Sequence, residues 1–448
     1  MPSKGSLRLR RLLKWVAAAV VAAAPLCGEL RVATFRADAT PPNGEPLIWL
    51  TPAAKVEDPL WTKGLVLADG NRRYVLCTVD WCGIGSSIHE LFRRKISAAV
   101  KTDVTNVAVH VVHQHTAPYV DGDSNEILSR LGRPAGLMTG RYLEDLTDRI
   151  ARAAAEATRR LEPFDSTGIS ESAVDRVASA RRLFGDDGKL ITRFSGGGKD
   201  PKLAALPEGP IDPKLRTITL ARRGKPLARI HFYATHPQTF CCDGRVTGDF
   251  AGAAREAMER EEGVFQIYFT GCSGDVTVGK YNDGTPESRE QLAGRLKQGM
   301  AASAAATRFS PAGNMRWRHR ELVLTPKPAE AARTVLRESA PHSGEQLYRA
   351  ALVVAFADRK RPLEVNLLEI GKAAALFLPG EPMLEFQNYA VKQAAGRFVA
   401  VAGYGDIQPG YLCTDQAFQE GGYEPSASNA GPGTEARLKA AIRALLIE

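Results

Sequence analysis

Short apolar runs of strand length recur along the chain, each closed by a polar or Gly/Pro-rich stretch. YVLCTVD (74–80) is compact, β-branched and apolar, ends on Asp80, and reads as a buried strand; NVAVHVV (106–112) reads the same way. Helical spacing takes over at about 141–161, where Leu143, Leu146, Ile150, Ala153, Ala157 and Leu161 form one apolar face. Residues 183–215, rich in Gly, Pro, Lys and Asp, predict a long surface loop. RTITLAR (216–222) and LARIHFYAT (227–235) flank Gly-Lys-Pro and predict a hairpin. Asp249 is placed to cap a helix over 250–262, and VFQIYF (264–269) predicts the next strand. A helix over 286–306, a strand ending in ALFLPGE (375–381) and a terminal helix after Thr434 follow. No internal repeat is visible. The alternation predicts a mixed α/β (α+β) fold, one large layered domain over 29–448. Several polar clusters directly follow apolar strands, which is where sites assemble in open α/β sheets.

The first 28 residues stand apart. A basic run from Lys4 to Lys14 precedes an apolar run from Trp15 to about Ala24. This is the build of an export signal, and the apolar run is short for a bilayer span. The chain is therefore expected to be exported: periplasmic, secreted or on the cell surface. The formal net charge of +9 falls to +4 without these residues, which hold five bases and no acid. The remaining excess is mild and spread along the sequence, so nucleic acid is not an expected partner. Of seven cysteines none forms a Cys-x-x-Cys pair, which argues against a zinc ribbon or a thioredoxin-type site. Export permits disulfides, although adjacent Cys241 and Cys242 are not expected to bond, because that geometry is unfavourable.

Candidate chemistry gathers at the strand ends. HVVHQHTAPYVDG (110–122) crowds three of the chain's eight histidines into six positions. In an extended chain His113 and His115 share a face and His110 points to the other. His110 is expected to be structural. Taken alone, His-x-His reads as ordinary hydrogen-bonding groups, since so short a motif recurs by chance. His236, in FYATHPQTF, and Glu381, in FLPGEP, also follow apolar strands. Together His, His and Glu at three strand ends are the ligand chemistry of a hydrolytic zinc site. Asp80, Asp249 and Asp275 are expected to organise their loops.

The order and spacing of these segments resemble the N-terminal zinc-hydrolase domain of the neutral (alkaline, non-lysosomal) ceramidases, most closely its short bacterial form. The likeness runs from about RVATFRADATPP to GGYEPSAS. The family's HTHSGP is similar to His113-Gln114-His115-Thr116-Ala117-Pro118, its SGD to Thr247-Gly248-Asp249 and its PGE to Pro379-Gly380-Glu381. The resemblance implies His113, His236 and Glu381 as zinc ligands, with a tyrosine as fourth. Tyr411, in Tyr411-Leu412-Cys413-Thr414, takes that place, with Tyr404 as the alternative. It implies His115 as catalytic partner, Tyr423 as a substrate-facing tyrosine and Arg181, or its neighbour Arg182, as a substrate-facing arginine. Thr277 stands where the family's GDVSPN loop carries an active serine, with Ser273 nearby but out of register. The family also carries a C-terminal immunoglobulin-like domain, which is not expected within these residues.

What the resemblance implies is an exported, zinc-dependent amidohydrolase of ceramidase type. A zinc-activated water would cleave the amide of a small-molecule or lipid N-acyl substrate, with peripheral membrane contact giving access to lipid. Arg181 or Tyr423 would stabilise the oxyanion, and His115 would hand a proton to the leaving amine. Two rivals are carried forward. One is an exported binding protein of the same fold without turnover, motivated by Thr277. The other is a metal-independent hydrolase using the hydroxyl of Ser273 or Thr277 beside His115.

Overall fold

A computed structural model describes residues 29–133, 138, 140–338 and 341–447; the expected export segment, 1–28, lies outside the described residues. Among the described residues the backbone builds three sheets of four or five strands, closely related in topology, and five two-stranded ones. The first orders its strands as Val107–Val111, Arg72–Val79, Trp61–Asp69, Leu30–Asp38 and Glu162–Pro163. The second orders Phe265–Thr270, Lys225–Tyr233, Lys214–Arg222, Ser166–Ala173 and Arg308–Pro311. The third orders Ala400–Ala402, Ala373–Phe377, Leu363–Ile370 and Met315–Leu322.

Each of these three larger sheets follows one recipe. An antiparallel hairpin leads into a helix, and the helix returns the chain to a strand parallel to the second arm of the hairpin. The helices are Ser86–Val100, Asp249–Glu262 and Leu384–Gln393, and the parallel pairs are 72–79 with 107–111, 225–233 with 265–270, and 373–377 with 400–402. A second helix follows in each case: Gly140–Thr158, Pro286–Ala305 and Thr434–Ile447. The fold is thus a threefold structural repeat, although none shows in the sequence. The repeat is invisible in sequence because the units share only burial pattern and element order, which many different apolar residues satisfy.

The three sheets face one another across a common core. Leu65, Leu67 and Leu76 from the first meet Ile230, Phe232 and Phe269 from the second and Ile370 and Phe377 from the third. The opposite face of each sheet is covered by its own pair of helices. Val66, Val75 and Val79 pack on Phe92, Ile96, Leu146 and Ile150. Tyr233 and Tyr268 pack with Phe250, Met258, Leu292 and Leu296. Leu367 and Leu376 pack with Phe386, Leu438 and Ile442. Burial on both faces explains why these strands read as continuous apolar runs rather than alternating ones.

Most expected elements are present within a residue or two. The hairpin at 223–224 turns through two left-handed residues, Arg223 (φ 50) and Gly224 (φ 77), the tight turn whose twist matches paired strands. Three expectations need correction. Residues 183–215 are not one loop: strands Arg182–Phe184 and Leu190–Thr192 pair, and a short helix spans Pro201–Ala205. Buried Arg193 holds this segment together by donating to the carbonyls of Ala180, Pro207 and Glu208. Asp249 begins its helix without a conventional cap and accepts instead from Thr239 N at 2.8 Å and Phe250 N at 2.6 Å. Cys241 and Cys242 are disulfide-bonded to each other, in a loop where Cys242 is left-handed (φ 64). Among the described residues no helix is long and apolar enough to cross a membrane.

Candidate metal centre

Each unit delivers one member of a buried cluster just past the end of a strand in its parallel pair. His113 follows 107–111, His236 follows 225–233, and Glu381 follows 373–377. Their ligand atoms lie within 4.8 Å of one another. His113 Nε2 is 3.2 Å and His236 Nε2 is 3.4 Å from the same oxygen, Glu381 Oε2.

Local backbone geometry fixes this convergence. His113 has φ 69, a left-handed value uncommon for a residue with a side chain, and its amide donates to Trp81 O at 2.8 Å. Glu381 is presented by Gly380, whose φ is 63 and whose added Cβ would meet Gly410 O at 2.8 Å. Only glycine tolerates both conditions, and the approach lets Glu381 pair in parallel with Tyr411.

The histidine tautomers follow from the second ring nitrogens. His113 Nδ1 donates to Cys82 O at 2.6 Å, and His236 Nδ1 donates to Ser273 O at 2.7 Å. With the hydrogen on Nδ1, each Nε2 presents a lone pair to the carboxylate. His113 Nε2 and Glu381 Oε2 accordingly have no hydrogen-bond partner although both are buried. Acceptors facing acceptors in a dry site cost free energy unless something positive lies between them. Burial and then the Arg181 guanidinium push His236 down to about 4, so its imidazole is neutral. Two imidazoles oriented by hydrogen bonds to backbone carbonyls, together with a carboxylate, are a donor set that fits a zinc ion.

The other expected residues surround this cluster. His115 packs edge-on against His113, with ring centroids 5.1 Å apart, and neither of its nitrogens has a partner in the protein. Burial, then His113 and His236, hold its pKa well below the usual value. Arg181 Nη1 donates to the Tyr411 hydroxyl at 2.9 Å while Nη2 lies 3.3 Å from His236 Nε2. Burial pushes the Tyr411 phenol up, with Arg181 pulling the other way. Tyr423 lies over Tyr411 at 5.6 Å and under the Arg181 guanidinium at 5.4 Å. Arg182 turns away, to Glu420 and Glu424. Tyr404, the alternative ligand, stacks on His113 at 4.3 Å and shares a 2.7 Å hydrogen bond with Ser273 Oγ.

Thr277 is not brought to the cluster by any hydrogen bond. Its hydroxyl accepts from Gly279 N at 2.9 Å and closes its own turn. Neither Thr277 nor Ser273 pairs with His115, so the arrangement lacks the hydroxyl–imidazole contact that a metal-free nucleophile requires. His110 lies on the opposite side, with Nδ1 donating to Gly403 O at 2.6 Å and its ring between Phe269 and Phe377. Asp80 is structural: it accepts two hydrogen bonds from Arg255, at 2.6 and 2.8 Å, and one from Trp61 N. Asp275 accepts from Leu384 N at 2.7 Å and so starts a helix.

Several contributors carried no sequence signal. Cys82 and Ser273 act through backbone carbonyls, which any residue could supply. Glu424, fully buried 3.6 Å from Arg181, sits in a segment that otherwise reads as helix start. The cleft leading to His113, His115 and Glu381 has walls from Ile48, Trp49, Tyr119 and Leu352. These belong to a 3-10 turn, Ile48–Leu50, a short strand, Tyr119–Asp121, and a helix, Gly344–Ala357, none of which has a clear pattern in the sequence.

No family model matches the sequence, and no curated protein matches it. The structure does match solved ones. It superposes on the crystal structure of neutral ceramidase from Pseudomonas aeruginosa with a TM-score of 0.70 at 17% identity, over 93% of this chain and 74% of that one. A structure described as ceramidase complexed with C2 matches with a TM-score of 0.70 at 16% identity, over 93% and 75% of the two chains. At this identity the likeness speaks to architecture, and it agrees with the family resemblance of the motifs. This chain has the fold of the neutral ceramidases.

Proposed function

We propose that this chain is a zinc-dependent amidohydrolase that cleaves N-acyl substrates of the ceramide type. The observation that carries the reading is the convergence of His113 Nε2, His236 Nε2 and Glu381 Oε2, three buried ligand atoms within 4.8 Å of one another. The ceramidase fold supports the reaction class. His113, His236, Glu381 and the Tyr411 oxygen would hold the ion. When bound, zinc supplies Lewis acidity and brings the pKa of a coordinated water to about 7.

The protein's own groups then have distinct tasks. Cys82 O and Ser273 O hold the two imidazoles with their Nε2 lone pairs inward. Arg181, fixed by Tyr411 and Gly274 O, presents positive charge where an amide oxygen would become negative. Tyr423 adds a hydroxyl on the same side. His115, with both nitrogens free of protein partners, is placed to pass a proton to the departing amine. Trp49, Tyr119, Ile48 and Leu352 offer an apolar wall for an acyl chain. Export by residues 1–28 and peripheral contact with a membrane complete the proposal.

The test combines metal analysis of the purified protein with a screen of N-acyl substrates of varied chain length. Zinc near one equivalent together with amine release supports the reading. Full zinc without release from any amide or ester would identify a binding protein of this fold. Release that persists in a chelator would point to a hydroxyl nucleophile.

A further inference from the structure

The cleft carries a charge pattern that the hydrolytic reading does not use. Among its lining residues Glu381 is the one acid, and its carboxylate is turned inward against His113 and His236. Two cations, Arg349 and Lys327, line the same cleft. Arg349 is held in place. Its guanidinium lies 3.7 Å from the centre of the Trp49 ring, and its Nε donates to Glu345 Oε1 at 2.8 Å. No hydrogen bond among the described residues uses its two terminal nitrogens. Trp49 itself has a left-handed backbone (φ 56, ψ 29), which sets the indole as a platform beneath the guanidinium. Lys327 donates one hydrogen to Ser426 O at 3.0 Å, and its backbone amide donates to Asn429 O, so its stem is fixed while two ammonium hydrogens remain.

A stacked guanidinium with its fork free is pre-oriented for an oxyanion, and a nearby ammonium adds a second positive charge. Glu345 is the one acid paired with Arg349, and no ion pair among the described residues involves Lys327, so a neutral headgroup would leave the two cations with a net positive charge. We propose that Arg349 and Lys327 recognise an anionic group carried by the substrate away from its scissile amide: a carboxylate, sulfonate or phosphate. Among N-acyl compounds of the ceramide type, those that carry an anionic group are then preferred over neutral ones. The inference rests on the amidohydrolase reading for the word substrate, but the anion site itself can be read by binding alone.

The experiment uses uncleavable dodecylsulfonyl derivatives of glycine, taurine and ethanolamine, titrated calorimetrically into the metal-loaded protein. At least one anionic probe should bind about tenfold or more tightly than the ethanolamine probe, the scale of one charge-assisted hydrogen bond. Which anion gains more distinguishes carboxylate from sulfonate. Arg349→Gln and Lys327→Gln should each shrink the difference, Arg349→Lys should keep part of it, and added salt should weaken it. Equal affinity for all three probes, or a preference that both glutamine variants retain in full, overturns the proposal. Hydrolysis of the matching dodecanoyl amides is followed in parallel. Cleavage without binding preference removes the anion site and leaves the amidohydrolase reading; preference without cleavage does the reverse.

Discussion

His113 Nε2 lies 3.2 Å from Glu381 Oε2, and both atoms are buried without a hydrogen-bond partner in the protein. His236 Nε2 approaches the same oxygen at 3.4 Å. A histidine-to-alanine change at 236 removes one lone pair of the three. His236→Ala is expected to lose most bound zinc and nearly all turnover while circular dichroism stays that of wild type. Elemental analysis reads the metal; full zinc in this variant would take His236 out of the site. His110→Ala, on the other side of the strand, should leave the zinc content unchanged.

Tyr411→Phe tests the fourth position. Its hydroxyl accepts from Arg181 beside the cluster. Removing it should weaken zinc affinity by about 10- to 100-fold, the range seen when a metal site loses one supporting polar group. Competition with a chromogenic chelator measures this. An unchanged affinity would leave Tyr411 as a partner of Arg181 alone.

Thr277 should behave as a turn residue. Its buried hydroxyl accepts from Gly279 N. Thr277→Val leaves that amide unsatisfied and should cost about 1–3 kcal/mol of stability in urea unfolding. Thr277→Ser keeps the acceptor and should keep the stability. A loss of turnover in Thr277→Val far larger than its loss of folded protein would restore a chemical role.

Asp80 and Arg255 form a fully buried pair with two hydrogen bonds. The pair ties the end of a strand in the first sheet to the helix over 249–262. Asp80→Ala leaves the buried guanidinium with Glu256 as its one acid partner and should destabilise the protein by about 3 kcal/mol. Equilibrium denaturation checks the value.

Acid stability follows from Asp406. Burial would raise its carboxyl, but the guanidinium of Arg359, then His89, carry it down to about 2 from an ordinary value of 3.8. A depressed carboxylate stabilises the fold above its unfolded value and loses that contribution as pH falls through its folded value. The wild type should therefore lose more stability than Asp406→Asn between pH 4 and pH 2. Parallel loss in both would contradict the assignment.

The strands that carry His113, His236 and Glu381 were legible because both their faces are buried, so apolar runs stop where polar chemistry starts. The convergence was not legible from spacing: it depends on three sheets meeting around one core, and only the family resemblance anticipated it. Arg349 and Trp49 carry no such signal, for a different reason. One lies on a helix with a broad apolar surface and the other in a left-handed turn, and neither context gives a periodic signal. The Thr277 hydroxyl illustrates the opposite case, since position in a motif drew attention to a side chain whose hydrogen bond serves its own loop.

The measurement that tests the central claim most directly is anomalous diffraction at the zinc edge from crystals of the metal-loaded protein. One peak is expected at about 2.0–2.2 Å from His113 Nε2, His236 Nε2 and a Glu381 oxygen together. A zinc peak elsewhere, or one touching fewer than two of these three side chains, would contradict the account.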